Sequence, residues 1–322
     1  MSQATASPAL TLSRVGQQNK TGSVLANFED VLLGEVIAAY EQKVTLEPLT
    51  RSRNIMHGKS ATFDALYIAA TEYFTAGNEI TGGDIAHNQI NIPVDDLLIA
   101  PVRVFDLDEA MNHYEVRGPY ATELGRAQAV AKDKNIARNL IRAARASALF
   151  TGDTGGQNVI DADGATSATS LAASLWAAKQ LMEEADVPVD SVDVTAALKA
   201  AQWYLLAQEP TLVLNKDIGG EGSYARGTLE LIGGVKLVKS NAYPWGTDDS
   251  SNTALPADYR VDMSNTIAAV FTEAAVGTVN LMGMQIQSED SVAKQGTLIV
   301  ARQACGHGPI IPKAAVEIKS AA

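Results

Sequence analysis

With 322 residues, 46% of them apolar and 19% charged, the chain has material for a real core in about two domains, which excludes a disordered or collagen-like polymer. Thirty-seven acids against 25 bases leave a net charge of −12, so the surface as a whole repels nucleic acid and anionic membranes. A lone cysteine, Cys305, excludes an intrachain disulfide and points to a reducing compartment such as a cytoplasm; no secretory leader opens the chain, and no run approaches the roughly 18 apolar residues of a membrane span.

Residues 1–27 are rich in Ser, Thr, Gln and Ala, carry Arg14 and Lys20, and hold no acid. Such a segment buries too little apolar area to fold alone and reads as an arm, free or pinned by a partner. FEDVLLGEVIAAYEQ then fits a helix, with Phe28, Val31, Leu32, Glu35, Val36 and Ala39 at spacings of three and four. Ordinary packing and an intersubunit contact explain that stripe equally well. From Pro48 to Pro93 the pattern is extended. RNIMHGKSATFDALYIA reads as two strands about a hairpin turn at His57-Gly58-Lys59; Gly77, Gly82 and Gly83 then precede an alternation at Ile90, Ile92 and Val94. This excursion has little core-forming density and far exceeds the roughly 15 residues of an ordinary loop. A two-stranded ribbon is marginal alone, so this one is expected to lie on another subunit.

LLIAPVRV (97–104) is expected as a buried strand. DLDEAMNHYEV begins a short helix, and Gly118-Pro119 resets the chain for a second helix to about residue 149, with proline suited to its start. Tyr120, Leu124, Ala127 and Ala131 mark one stripe, continued by Ile136, Leu140, Ala143 and Ser147. Residues 106–125 hold five acids and one arginine, and residues 126–145 hold six bases and only Asp133, a polarity that suits the helix dipole. At about 45 Å such a helix is a strut rather than a surface element. GDTGGQNVIDADGATSATS reads as a flexible link, and TSLAASLWAAKQLMEEADVP as an amphipathic helix stopped by Pro188. SVDVTAAL, TLVLN and GVKLVKS read as strands, AAQWYLLAQ as a helix, and the remainder as strand-rich with alternation around Val300. Helices and strands are segregated, which makes the fold class α+β.

Little in the chain points to catalysis. Gly58-Lys59-Ser60 resembles the end of a phosphate loop, but Arg53 stands where the first glycine is needed. Asp161, Asp163 and Gly164 echo a calcium loop that lacks its terminal glutamate. His57, His87, His113 and His307 lack zinc-ligand spacing, and His113 and His307 read as structural hydrogen-bonders. Cys305 follows an apolar strand and reads as a buried, inert thiol. No nucleophile elbow occurs, and GGEGSYARG lacks the dinucleotide spacing. No catalytic, cofactor-binding or metal residue is therefore assigned, and no cofactor is expected. Arg138, Arg142 and Arg145 form a basic helical face, open to two readings: contact with DNA or an acidic partner subunit, or a solvated face that complements the dipole.

DLDEAMNHYEVRGPYATELGRAQA resembles a segment of the major capsid proteins of T-odd type short-tailed phages (podoviruses). So do FEDVLLGEVIAAYE, RSRNIMHGKSATF and INIPVDDLLIAPV upstream, AQWYLLAQEPTLVLNKDIGGEGSYARGTLELIGGVKLVKSN in the middle, and AAVGTVNL and ACGHGPIIPKAA downstream, in a fixed order. Asp64 replaces a usual proline, Gly118-Pro119 replaces a more helical run, and residues 279–293 hold Glu289 and Asp290 without a base; these departures touch loop geometry and charged contacts rather than the fold.

The resemblance implies the Hong Kong 97-type capsid fold. Residues 1–50 would be an N-terminal arm and 51–92 the extended loop. Residues 93–150 with 275–322 would form the peripheral domain, with a spine helix at about 119–149, and 151–274 the axial domain. It implies a structural protein, not an enzyme, that self-assembles as hexamers and pentamers into an icosahedral head around double-stranded DNA, which it contacts weakly and without sequence preference. Implied partners are a portal protein at one vertex and a separate scaffolding protein, since the roughly 27 residues before the matching region are too few for a fused scaffold domain. A cement protein is a further candidate partner; no membrane is involved. The location would be the virion, after assembly in the bacterial host cytoplasm. Lys59 is a candidate crosslinking lysine, but these relatives imply no crosslink. The rival readings are an encapsulin-like cellular compartment shell and, from another class, a soluble α+β enzyme.

Overall fold

The computed structural model describes residues 45–69, 71, 73, 74, 77, 82, 85–111, 117–209, 229 and 231–321. The arm to residue 44, the helix expected at 28–42, TLVLN, GGEGSYARG and His113 lie outside the described residues. In chain order the elements are β1 (Arg51–Asn54), β2 (Ser60–Leu66), β3 (His87–Pro93), β4 (Leu98–Phe105), α1 (Asp106–Met111), α2 (Arg117–Arg145), β5 (Gln157–Ile160), α3 (Ala168–Glu184), β6 (Val194–Leu198), α4 (Ala200–Gln208), β7 (Leu231–Ile232), β8 (Val235–Lys239), β9 (Thr266–Thr272), β10 (Val276–Ser291), β11 (Gly296–Pro309) and β12 (Ala315–Lys319). The class is α+β, and the chain forms two compact units, with α2, β10 and β11 each contributing a part to both.

The larger unit is built on a six-stranded sheet of order β5-β12-β9-β6-β8-β7. Its central strands β6 and β9 are buried at every residue, as expected of a sheet covered on both faces. Side chains alternate between two cores. Ala196, Leu198, Ala268, Val270, Val316 and Ile318 face α3 and α4, meeting Leu171, Leu175, Met182 and Trp203. Ala197, Ala269, Phe271 and Ala315 face the second half of α2, meeting Ile136, Leu140 and Ile141. Each large aliphatic side chain or phenylalanine among them contributes about 1.5–3 kcal/mol by leaving water.

Local chemistry fixes the element ends. The N-terminus of α3 is capped by Ser167, whose Oγ accepts from the Ser170 amide. The helix stops at Glu184, before Pro188, because Asp186 turns left-handed at φ 58°. The strut α2 ends at Arg145 rather than near 149: the Gly156 amide caps the Ala146 carbonyl at 2.8 Å, and the returning chain lies so close that a Cβ at Gly156 would collide with the backbone of Ala143 and Ala144. The stretch after α2 is not a bare link. It carries β5, paired in parallel with β12, and Asp161, whose carboxylate accepts from Ser170 and Ser174. The stripe on α2 also differs: Ala127 is exposed, and Gln128, Lys132 and Asp133 are buried in its place.

In the smaller unit β4 pairs antiparallel with β11, from Leu98↔Gln303 to Phe105↔Gly296. Leu124 of α2 packs on Val104, Ile299 and Ala301. Gln128 donates to the Leu98 and Ala301 carbonyls at 3.1 and 2.6 Å. The expected buried strand at 97–104 is instead an edge strand in which only Val104 is buried, and Pro101, which cannot donate to a ladder, is tolerated there for that reason.

Candidate assembly interface

The segment 51–93 does not form one hairpin about His57-Gly58-Lys59. β1 runs parallel to β10, from Arg51↔Gly277 to Asn54↔Asn280, and β2 pairs antiparallel with β3, from Ser60↔Pro93 to Leu66↔His87. The glycine turn, with Gly58 at φ 115°, passes the chain from one sheet to the other. At its root the β2–β3 ribbon has a small core of its own, where Ala61, Phe63 and Ile92 pack on Val279 and Ile310. Gly306 admits the Pro93 backbone so closely that no side chain fits there. Toward the tip that burial ends: Leu66, Ile68, Phe74 and Ile85 are exposed, and Tyr73 wholly so. Single exposed apolar groups are ordinary, but five along one thin ribbon mark a contact surface.

The basic face of α2 is engaged within the chain. Arg138 donates through Nε and Nη2 to Asp249 at 3.0 and 2.7 Å, and Arg142 reaches Asp258 at 3.2 Å. Arg145 grips Glu317 with two bonds of 2.7 and 2.6 Å and donates to the Asp262 carbonyl. These arginines are internal fasteners, each holding a different downstream segment of the larger unit.

The residues just after the arm are clasped to α2. Asp133 accepts from the Thr45 amide at 2.8 Å, the Thr45 hydroxyl at 3.0 Å and the Leu46 amide at 3.2 Å, while Lys132 binds Glu47 at 2.5 Å. Burial pushes the Asp133 carboxyl above its usual range, and the donors on Thr45 and Leu46 oppose that. Sequence reasoning missed this clasp, although a lone acid among six bases was a signal for it. Asp133→Ala is expected to cost about 2–4 kcal/mol, because two backbone donors lose their acceptor, and to open the chain at 45–50 to limited proteolysis; an unchanged urea midpoint would refute it.

His307 is buried beside Thr278, whose hydroxyl lies 3.0 Å from Nδ1, and Cys305, whose Sγ lies 3.5 Å from Nε2. Tyr259 donates to Asp95 and accepts from the His307 amide. Burial pushes the imidazole down to about 3 and the Cys305 thiol up to about 11, so both are neutral and structural. His57, His87 and Lys59 are exposed. Among the described residues no cluster of three His, Cys, Asp or Glu could hold a metal, and no helix is long and apolar enough to cross a membrane.

A core on both faces of one sheet, an apolar-tipped ribbon and side-chain chemistry spent on internal fasteners describe a building block. A family model described as Gp10A-like, major capsid protein, matches residues 65–319. The chain belongs to that family. It is 27% identical over 325 residues to the major capsid protein of Escherichia phage T7, covering 91% of this chain and 92% of that protein. Among solved structures, the capsid of Cyanophage P-SCSP1u is similar with a TM-score of 0.79 and 34% identity, over 98% of this chain and 99% of that one. The mature capsid of bacteriophage PhiM1 shares the fold, with a TM-score of 0.75 at 16% identity, over 98% of each chain. As a Gp10A-like major capsid protein the chain is a structural protein of a tailed-phage virion, with the Hong Kong 97-type fold, and its relatives build capsid shells. The compartment and enzyme readings are not favoured.

Proposed function

We propose that the chain tiles an icosahedral head as hexamers and pentamers enclosing double-stranded DNA, with its ribbon lying on a neighbouring subunit. The observation that carries this reading is the exposed apolar tip on a ribbon too thin to bury it. In this proposal 1–50 is the arm, 51–92 the extended loop, 93–150 with 275–322 the peripheral domain and 151–274 the axial domain. The assignment follows the family pattern rather than the division into compact units, in which the second half of α2 shares a core with β9 and β12. A separate scaffolding protein directs closure in the host cytoplasm, a portal protein occupies one vertex, and a cement protein has the outer surface available. The net charge of −12 keeps contact with the enclosed duplex weak.

The test is a variant in which residues 67–86 are replaced by Asn-Gly, which keeps β2 and β3 paired. Co-expressed with the scaffolding protein, it is expected to fold but to give no closed shells on sedimentation and negative-stain imaging, whereas the unaltered chain closes. Normal shells from the shortened ribbon would overturn the reading.

A further inference from the structure

We infer that the exposed basic turn at residues 51–59 of one copy receives the acidic, apolar ribbon tip, residues 64–86, of a second copy. This rests on the shell reading above and names the surface that the ribbon meets. Residues 48–63 contain no acid, in a chain whose net charge is −12. Arg51, Arg53, His57 and Lys59 are all exposed, and beside them Met56 is 90% exposed. The two arginines are held in place rather than waving in solvent: Arg53 donates to the Thr62 carbonyl at 2.6 Å, and the Arg51 guanidinium lies 5.9 Å from the Phe63 ring centre. Neither they nor Lys59 meets a carboxylate among the described residues, whereas Arg138, Arg142 and Arg145 each hold one.

The occupant follows from charge and reach. Residues 64–86 carry Asp64, Glu72, Glu79 and Asp84 and no base, together with the exposed Leu66, Ile68, Tyr73, Phe74 and Ile85. The paired stretch Ser60–Leu66 sets Tyr67 and the chain that follows it roughly 20 Å from the turn, which favours a second copy over the same one. The complementary surface belongs to another copy, and the contact is head-to-tail, the kind that closes into rings when the rotation allows. Duplex phosphate is the other polyanion at hand. The exposed Met56 and the guanidinium over Phe63 match a segment that mixes carboxylates with aromatic and aliphatic side chains better than they match hydrated phosphate. Exposed ion pairs are individually weak, but repeated around every ring and screened by salt they make closure steeply dependent on ionic strength.

Three charge-reversal forms co-expressed with the scaffolding protein test this. Arg51→Glu with Arg53→Glu and Lys59→Glu is expected to leave circular dichroism unchanged and to abolish closed shells. Glu72→Lys with Glu79→Lys and Asp84→Lys is expected to do the same, and the six changes together to restore shells. A second readout pairs Met56→Cys with Tyr73→Cys, which is expected to give interchain disulfide ladders in oxidised shells. Wild-type yields from the basic-turn variant, failure of the sixfold variant to restore shells, or chains that stay uncrosslinked would each overturn the inference while the shell reading stands. So would a basic-turn variant that builds normal shells but fails to retain DNA, which would assign the turn to phosphate. An unaltered chain that never closes would instead overturn the shell reading.

Discussion

Replacing Arg145 by methionine is expected to lower the unfolding free energy by about 3–5 kcal/mol, the usual result of stranding a buried charge. Glu317 is wholly buried on the α2 side of the central sheet and receives two bonds from Arg145 and one, at 2.5 Å, from the Thr266 hydroxyl. Without the guanidinium, the carboxylate keeps only Thr266 in a space closed to water. The double replacement Arg145→Met with Glu317→Leu removes both charges and is expected to recover most of the loss, because the low-dielectric site then holds apolar groups on both sides. Urea unfolding of the two variants and the parent checks this. Equal losses in both variants would show that volume, not the stranded charge, sets the cost.

Acid should loosen the larger unit through His307. The folded imidazole takes a proton only near pH 3, against 6.5 for the free side chain. Between those values the unfolded chain binds a proton that the folded chain refuses, so the stability this group provides is complete above pH 6.5 and drains away as pH falls toward 3. At about 1.4 kcal/mol per pH unit the full effect is on the order of 5 kcal/mol. Asp161 acts in the same sense over the carboxylate range: burial alone would raise it, but donors from Ser170, Ser174 and the Asp163 and Gly164 amides hold it low. Asp133, held high by burial, acts in the opposite sense, since the folded state takes up its proton first. Urea midpoints between pH 7 and 4 should fall for the parent chain and flatten over the upper part of that range in His307→Gln. A parallel fall in both would remove His307 from the account.

Much of the architecture is legible in the sequence, because apolar patterning is local. The run SVDVTAAL announces a strand, TIAAVFT falls in a stretch read as strand-rich, and the ribbon declares itself by lacking a core along most of its length. LLIAPVRV misled because a continuous apolar run resembles a buried strand; Pro101 was the sign of an edge. The arginines at 138, 142 and 145 display a helical face, but their carboxylates lie 111, 116 and 172 residues downstream, and spacing alone carries no trace of such pairs. The hairpin turn at Gly58 failed for the same reason: a local glycine signal reports a change of direction, not which sheet each flanking strand joins.

The long reach of those arginine pairs also sets a timetable during synthesis. When α2 leaves the ribosome Arg138, Arg142 and Arg145 lack their carboxylates, and they acquire them one at a time as Asp249, Asp258 and finally Glu317 are made. A chain stopped short of β12 lacks the strand between β5 and β9, and it leaves Arg145 unanswered against the sheet. A truncated chain of this kind therefore lacks a strand and a fastener together. The ladder of charge along one helix is complete only once the C-terminal strand of the sheet has been made.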